Sequence, residues 1–215
     1  MKTPSLIVAA LLFVTGSVHA QSSPAANVAG ASGSLTKEER ARAIDYLKQT
    51  QTDFLASIDG VSDEQWKFKA APERWSIAET AEHIAVAEEL IFNRLKNEVM
   101  KSPAAPEKKA EVAGKEDLIM KAVPDRSRKA QAPEVLKPTG RFATRADLIK
   151  QFNDTRAQEI AYLSETNDDL HSHFGEHPLL KTMDGYQWLI LNGAHCKRHT
   201  AQIAEVKEDA NYPKK

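Results

Sequence analysis

The sequence predicts an all-α fold: a four-helix bundle with a long crossover between its second and third long helices. Three observations predict it. Four segments place apolar residues at helical spacing behind a capping signature. No segment of any length alternates as a strand does. About forty residues, among them Pro103, Pro106, Pro124, Pro133 and Pro138, separate the second periodic segment from the third, where a helical hairpin needs only a few. A bundle requires such a connection when two consecutive long helices run parallel.

Residues 1–20 follow a different logic. Lys2 supplies a positive start, residues 6–14 form a short apolar run, and Val18-His19-Ala20 offers a small-residue cleavage site before Gln21. This reads as a secretory signal peptide, since a membrane span would want ~20 apolar residues. No cysteine stands directly after the cleavage site, where Gln21 lies, which argues against a lipid anchor. Residues 21–34 are rich in Ser, Ala and Gly and read as a flexible leader. The expected setting is a secreted protein of a bacterial periplasm, not held by a membrane once the signal is removed.

The bundle occupies residues 35–213. Its first helix is expected over 36–58, opened by Thr36 with Glu39 three residues on and closed near Gly60; its stripe is Ile44, Leu47, Phe54, Leu55 and Ile58, with Gln51 on the same face. A short helical turn follows around 62–66, before Pro72. Ser76 and Glu79 open the second helix, expected to about Met100, where Pro103 and Pro106 prevent extension. Residues 117–123 form one small helix inside the crossover. Thr144 with Asp147 opens the third, running to about Ser164, and Asp184 with Gln187 opens the fourth, which reaches about Lys207.

The composition excludes several classes. With 215 residues and 41% hydrophobic content the chain supports one good core. Its 29 basic and 30 acidic residues give a net charge of -1, without the basic stripe a nucleic-acid module needs. The single cysteine, Cys196, permits no internal disulfide and reads as a small buried hydrophobe. A small-molecule ligand or substrate is the partner the chain leaves open, with a homodimer as one possible assembly.

The chemistry lies in the histidines. On a helical wheel Trp188, Leu191, His195, His199, Gln202 and Val206 share one stripe. His195 and His199 therefore sit centrally on the core-facing side, one turn apart and aimed alike, which suits chelation of one ion. His83 falls at the edge of the apolar face of the second helix, near Ala87 and Leu90. It lies seven residues after Ser76, and His199 eight before Lys207, so antiparallel packing brings the three rings level. A zinc-protease helix would need Glu directly after His195, where Cys196 stands. A di-iron bundle would need Glu-x-x-His pairs that neither helix has.

Trp75-Ser76-Ile77-Ala78-Glu79 with His83-Ile84 resembles the second helix of the DinB/YfiT-like family. His177-Pro178-Leu179-Leu180, Asp184-Gly185-Tyr186-Gln187-Trp188-Leu189, His195, Arg198-His199 and Gln202-Ile203 resemble its last helix. The resemblance implies a bundle with a long crossover, a divalent metal held by His83, His195 and His199, and water completing the shell. Lys181 stands where the family often has glycine, and this crossover is longer and richer in proline. Relatives in the wider family include transferases and isomerases using bacillithiol or mycothiol; those thiols are cytosolic, which a signal peptide disfavours.

Three neutral imidazoles leave an ion its full charge and at least one open position, which fits Zn, Ni, Mn or Fe(II). Two function classes follow: a metal-dependent hydrolase or transferase, or a non-catalytic protein binding metal or a small ligand. Arg156 and Glu159, within the stripe of Leu148, Phe152 and Leu163, are either a satisfied salt bridge or the groups that bind a substrate acid and move protons. Glu88 reads as a structural partner for another helix, and Gln51 and Gln202 as groups that orient ligands or waters. His171, His173 and His177 form a separate cluster expected to be solvated or to fix a loop, and the lysines around Lys108 and Lys109 a solvated linker.

Overall fold

Each long helix begins at a capping box, because a side-chain oxygen and a partner three residues on satisfy the amides that a helix start leaves unpaired. Thr36 and Glu39 open α1 (Lys37–Ile58), and Ser62 and Gln65 open the short α2 (Asp63–Lys67). Ser76 and Glu79 open α3 (Ile77–Asn97). The crossover carries α4 (Lys109–Val112) and α5 (Lys115–Ala122). Thr144 and Asp147 open α6 (Arg145–Glu165), and Asp184 and Gln187 open α7 (Gly185–Lys207). The computed structural model describes residues 34–128 and 130–214. The expected signal peptide (1–20) and all of the expected leader except Ser34 lie outside the described residues.

Cross-helix pairs fix the directions. Between α1 and α7, Glu39 meets Tyr186 and Thr50 meets Cys196, so the two run parallel. Between α3 and α7, His83 meets His199 while the backbone of Glu88 meets Asn192, so these run antiparallel. Glu88 pairs with Arg156 and Phe92 with Tyr162, which makes α3 and α6 parallel. Arg40 bonds the far end of α6 at Thr166 and Leu47 bonds Arg156, so α1 and α6 oppose. The consecutive long helices α3 and α6 are thus the parallel pair that the long crossover implies. Gly193 lets α1 approach α7: a Cβ there would stand 2.9 Å from the Tyr46 ring.

The crossover is fastened to the bundle, not draped over it. Arg198 on α7 donates to the carbonyls of Val123 (3.0 Å) and Arg128 (2.7 Å), and Gln187 donates to Val112 O (2.6 Å). Glu82 accepts backbone N–H bonds from Thr139 (2.7 Å), Gly140 (2.9 Å) and Arg141 (3.3 Å). Among the described residues no helix is long and apolar enough to cross a membrane.

One element departs from the expected absence of strands. β1 (Phe174–His177) and β2 (Lys181–Asp184) form an antiparallel hairpin before α7. Its strands are four residues each, too short to display a period. Its turn is held by the His177 ring, whose Nδ1 accepts from Leu180 N at 3.0 Å and Leu179 N at 3.3 Å. Burial lowers the pKa of His177, favouring the neutral acceptor form. Lys181 adopts the left-handed conformation (φ 61°), which favours glycine. His173 Nδ1 donates to Ser102 O (2.7 Å), and His171 bonds Asp184 (2.8 Å), so all three loop histidines fix structure.

Candidate metal centre

His83 comes from the second turn of α3, and His195 and His199 from successive turns of α7. Antiparallel packing brings them level, as their depths require. His83 Nε2 lies 3.2 Å from His195 Nε2 and 3.2 Å from His199 Nε2. All three ligand atoms fall within 4.8 Å of one another. A tetrahedral ion with bonds of ~2.0–2.1 Å would space its nitrogens about 3.3–3.4 Å apart. The group contains no fourth His, Cys, Asp or Glu among the described residues.

The burial order reverses the wheel's. His83 is 2% exposed and His199 9%, whereas His195 is half-buried. The wheel places His83 at the rim because it counts only apolar neighbours on its own helix. The covering comes instead from the crossover, where Leu136, in a 3-10 turn (Glu134–Leu136), lays its carbonyl 2.8 Å from His83 Nδ1. Trp75 adds a wall, its ring 4.9 Å from that of His83 and 6.5 Å from that of His199.

That carbonyl decides the chemistry of His83. A carbonyl only accepts, so Nδ1 carries the proton and Nε2 presents a lone pair to the other two rings. Burial pushes all three histidines toward the neutral form: His83 downward, His195 well below its ordinary value with help from His199, and His199 down to about 3 with help from His83. Three neutral imidazoles converging on one point suit a cation between them, because a metal takes the neutral ring through its lone pair.

The remaining expected site residues divide. Gln202 stands beside the centre, its Oε1 2.8 Å from His199 Nδ1. Gln51 does not: it bonds Asn153 at 2.8 Å, joining α1 to α6. Arg156 and Glu159 are 0% and 1% exposed in the middle of the bundle. Arg156 pairs with Glu88 and with Glu159 (3.5 Å) and donates to Leu47 O (2.9 Å) and Thr50 Oγ1 (3.0 Å). Asn192 donates to Glu159. Among the described residues no hydrogen bond or ion pair joins Arg156 or Glu159 to the three histidines. Cys196 is buried, and burial pushes its thiol up to about 12.

Three supporting groups were absent from the sequence reading: the Leu136 carbonyl, Glu82 and Arg126. Only Glu82 left a local signal, as a carboxylate within the otherwise apolar stretch beside His83. Arg126 reaches Gln202 Oε1 at 3.2 Å from 76 positions away.

A family model of the DinB superfamily matches residues 46–203. The chain belongs to the DinB superfamily. It is also similar to YuaE of Bacillus subtilis (strain 168), an uncharacterized protein, at 29% identity over 151 residues, 70% of this chain and 88% of that one. The solved structure of YfiT from Bacillus subtilis is described as a probable metal-dependent hydrolase with an unusual four-helix bundle topology. It matches with a TM-score of 0.55 at 15% identity, covering 84% of this chain and 92% of that one. The present chain thus shares its bundle fold with a solved structure.

Proposed function

We propose that His83, His195 and His199 hold one divalent metal ion and that the protein is an exported metal-dependent hydrolase. The observation that carries the reading is the convergence of three neutral Nε2 atoms, 3.2 Å apart for two of the pairs, with no fourth protein ligand in the group. A site closed by four protein ligands is structural; three leave a position for water or substrate. A divalent ion held there supplies a Lewis acid and makes a water more acidic at neutral pH. The description of YfiT as a probable metal-dependent hydrolase supports the same direction.

The chain's own residues prepare the centre. Leu136 O holds His83 in the tautomer that binds, and Trp75 and the crossover keep water from His83. The half-buried His195 marks the side from which a substrate reaches the ion. No substrate role falls to Arg156 or Glu159, which are sealed in the core. Their burial is the observation that favours the second reading, a protein that binds metal without turnover.

The test strips the protein with a chelator, reloads it with Zn, Ni, Mn or Fe(II) in turn, and assays ester, amide and phosphoester hydrolysis. Turnover that disappears on stripping and returns on loading is expected. A protein that takes metal through the three histidines but hydrolyses none of these when loaded would be a binder.

A further inference from the structure

Gln202 presents its amide to two neighbours at once: its Oε1 stands 2.8 Å from His199 Nδ1 and accepts from Arg126 Nη1 at 3.2 Å. An amide can turn over, exchanging oxygen for NH2 with almost no change of shape. The two orientations impose opposite tautomers on His199. With the oxygen toward the ring, Nδ1 must carry the proton, and Nε2, 3.2 Å from His83 Nε2, keeps its lone pair. With the NH2 group toward the ring, Nδ1 must accept, the proton moves to Nε2, and His199 ceases to be a ligand there.

Nothing in the His199–Gln202 pair itself chooses between these states. Arg126 does, because a guanidinium has five N–H donors and no acceptor, so only the oxygen of Gln202 can face it. Arg126 is itself held. Its Nη2 donates to Glu205 Oε2 at 2.9 Å and its Nε to the other oxygen of the same carboxylate, a two-pronged pairing that fixes the guanidinium plane. Glu205 lies three residues after Gln202 on α7, so one helix presents both groups that Arg126 reads.

We propose that Arg126, reaching in from the crossover, is a positioning residue that locks the Gln202 amide and thereby fixes His199 in the tautomer with a free Nε2. Its consequence for metal rests on the three-histidine reading; the lock itself is a property of the metal-free protein. The crossover thus contributes to two of the three rings, through Leu136 O at His83 and through Arg126 at His199.

The experiment measures nitrogen chemical shifts of 15N-histidine-labelled, metal-free protein above the pH at which the rings are neutral, and zinc affinity of the same samples. Wild type is expected to show His199 with its proton on Nδ1. Arg126→Met keeps most of the aliphatic stem and removes the donors; His199 is expected to become a mixture of tautomers, and zinc affinity to fall by about 10–100-fold, the range for losing an outer-shell partner. Adding Gln202→Glu to Arg126→Met is expected to restore both, because a carboxylate accepts whichever way it turns. Arg126→Lys, also a pure donor, is expected to keep the wild-type tautomer. Arg74→Ala, which removes a different arginine 3.4 Å from Glu205, is expected to leave it unchanged.

A folded Arg126→Met protein with the wild-type tautomer overturns the lock. So does a double variant in which Gln202→Glu restores neither tautomer nor affinity, since the loss would then be one of crossover packing. A wild type that binds no zinc overturns the metal reading, while the tautomer series still decides the lock.

Discussion

His83 Nδ1 and the carbonyl of Leu136 lie 2.8 Å apart, and this bond joins the candidate metal centre to the crossover. Glu82, the preceding residue, holds the same stretch by accepting from the amides of residues 139–141. Glu82→Gln exchanges one acceptor oxygen for a donor facing donors. It is expected to destabilise the fold by about 1–3 kcal/mol and to weaken zinc binding by about tenfold. Hydrogen exchange at residues 139–141 should quicken in the variant, and in wild type it should slow on adding metal. Unchanged exchange in both comparisons would separate the crossover from the centre.

The buried Arg156 cluster should answer to stability, not to metal. Arg156→Met leaves buried carboxyl groups without their cation and is expected to cost about 3–5 kcal/mol. Burial and the neighbouring Glu88 raise the pKa of Glu159 well above the usual carboxylate range, which favours its protonated form. Glu159→Gln is the neutral isostere of the protonated acid: Oε1 still accepts from Asn192, and the new NH2 group can donate to Glu88 as that acid would. Urea melts should place this variant within about 1 kcal/mol of wild type, with zinc affinity intact. A loss of metal in Glu159→Gln would make Glu159 part of the site after all.

How much of this the sequence discloses depends on where the information lies along the chain. Helix starts are local, so Thr36, Ser76, Thr144 and Asp184 announce them. The parallel α3–α6 pair follows from crossover length, and the level of His83 follows from counting turns. The burial of His83 does not, because Leu136 covers it from 53 positions away. Arg126 is invisible for the same reason. The hairpin escapes because a histidine ring, not an Asn-Gly pair, holds its turn.

Lys181 gives a backbone test. A non-glycine residue at φ 61° carries strain that glycine does not. Lys181→Gly is expected to stabilise the protein by on the order of 0.5–1 kcal/mol, the relief of strain being partly offset by greater freedom of the unfolded chain. A drop in thermal midpoint would show that the Lys181 side chain contributes more than the strain removes.

His171 predicts a pH dependence of known sign. Its Nδ1 bonds Asp184, the cap of α7, at 2.8 Å, and its Nε2 lies 3.3 Å from Glu39, the capping partner of α1. The bond to Asp184, aided by the charges of Asp184 and Glu39, raises its folded-state pKa above the ordinary 6.5. The folded state therefore holds the proton more tightly, and the stabilisation is complete below about pH 6.5 and fades as pH rises through the folded value. The stability gap between wild type and His171→Asn, measured by urea unfolding, should narrow from pH 6 to pH 9. A gap that widens with pH would contradict the assignment.

The central claim, one divalent ion on three histidines, is tested most directly by metal content. Protein purified from its native compartment is compared by elemental analysis with a folded His199→Ala variant. The account predicts about one divalent ion per wild-type chain and little or none in the variant; equal metal in both, or none in either, would contradict it.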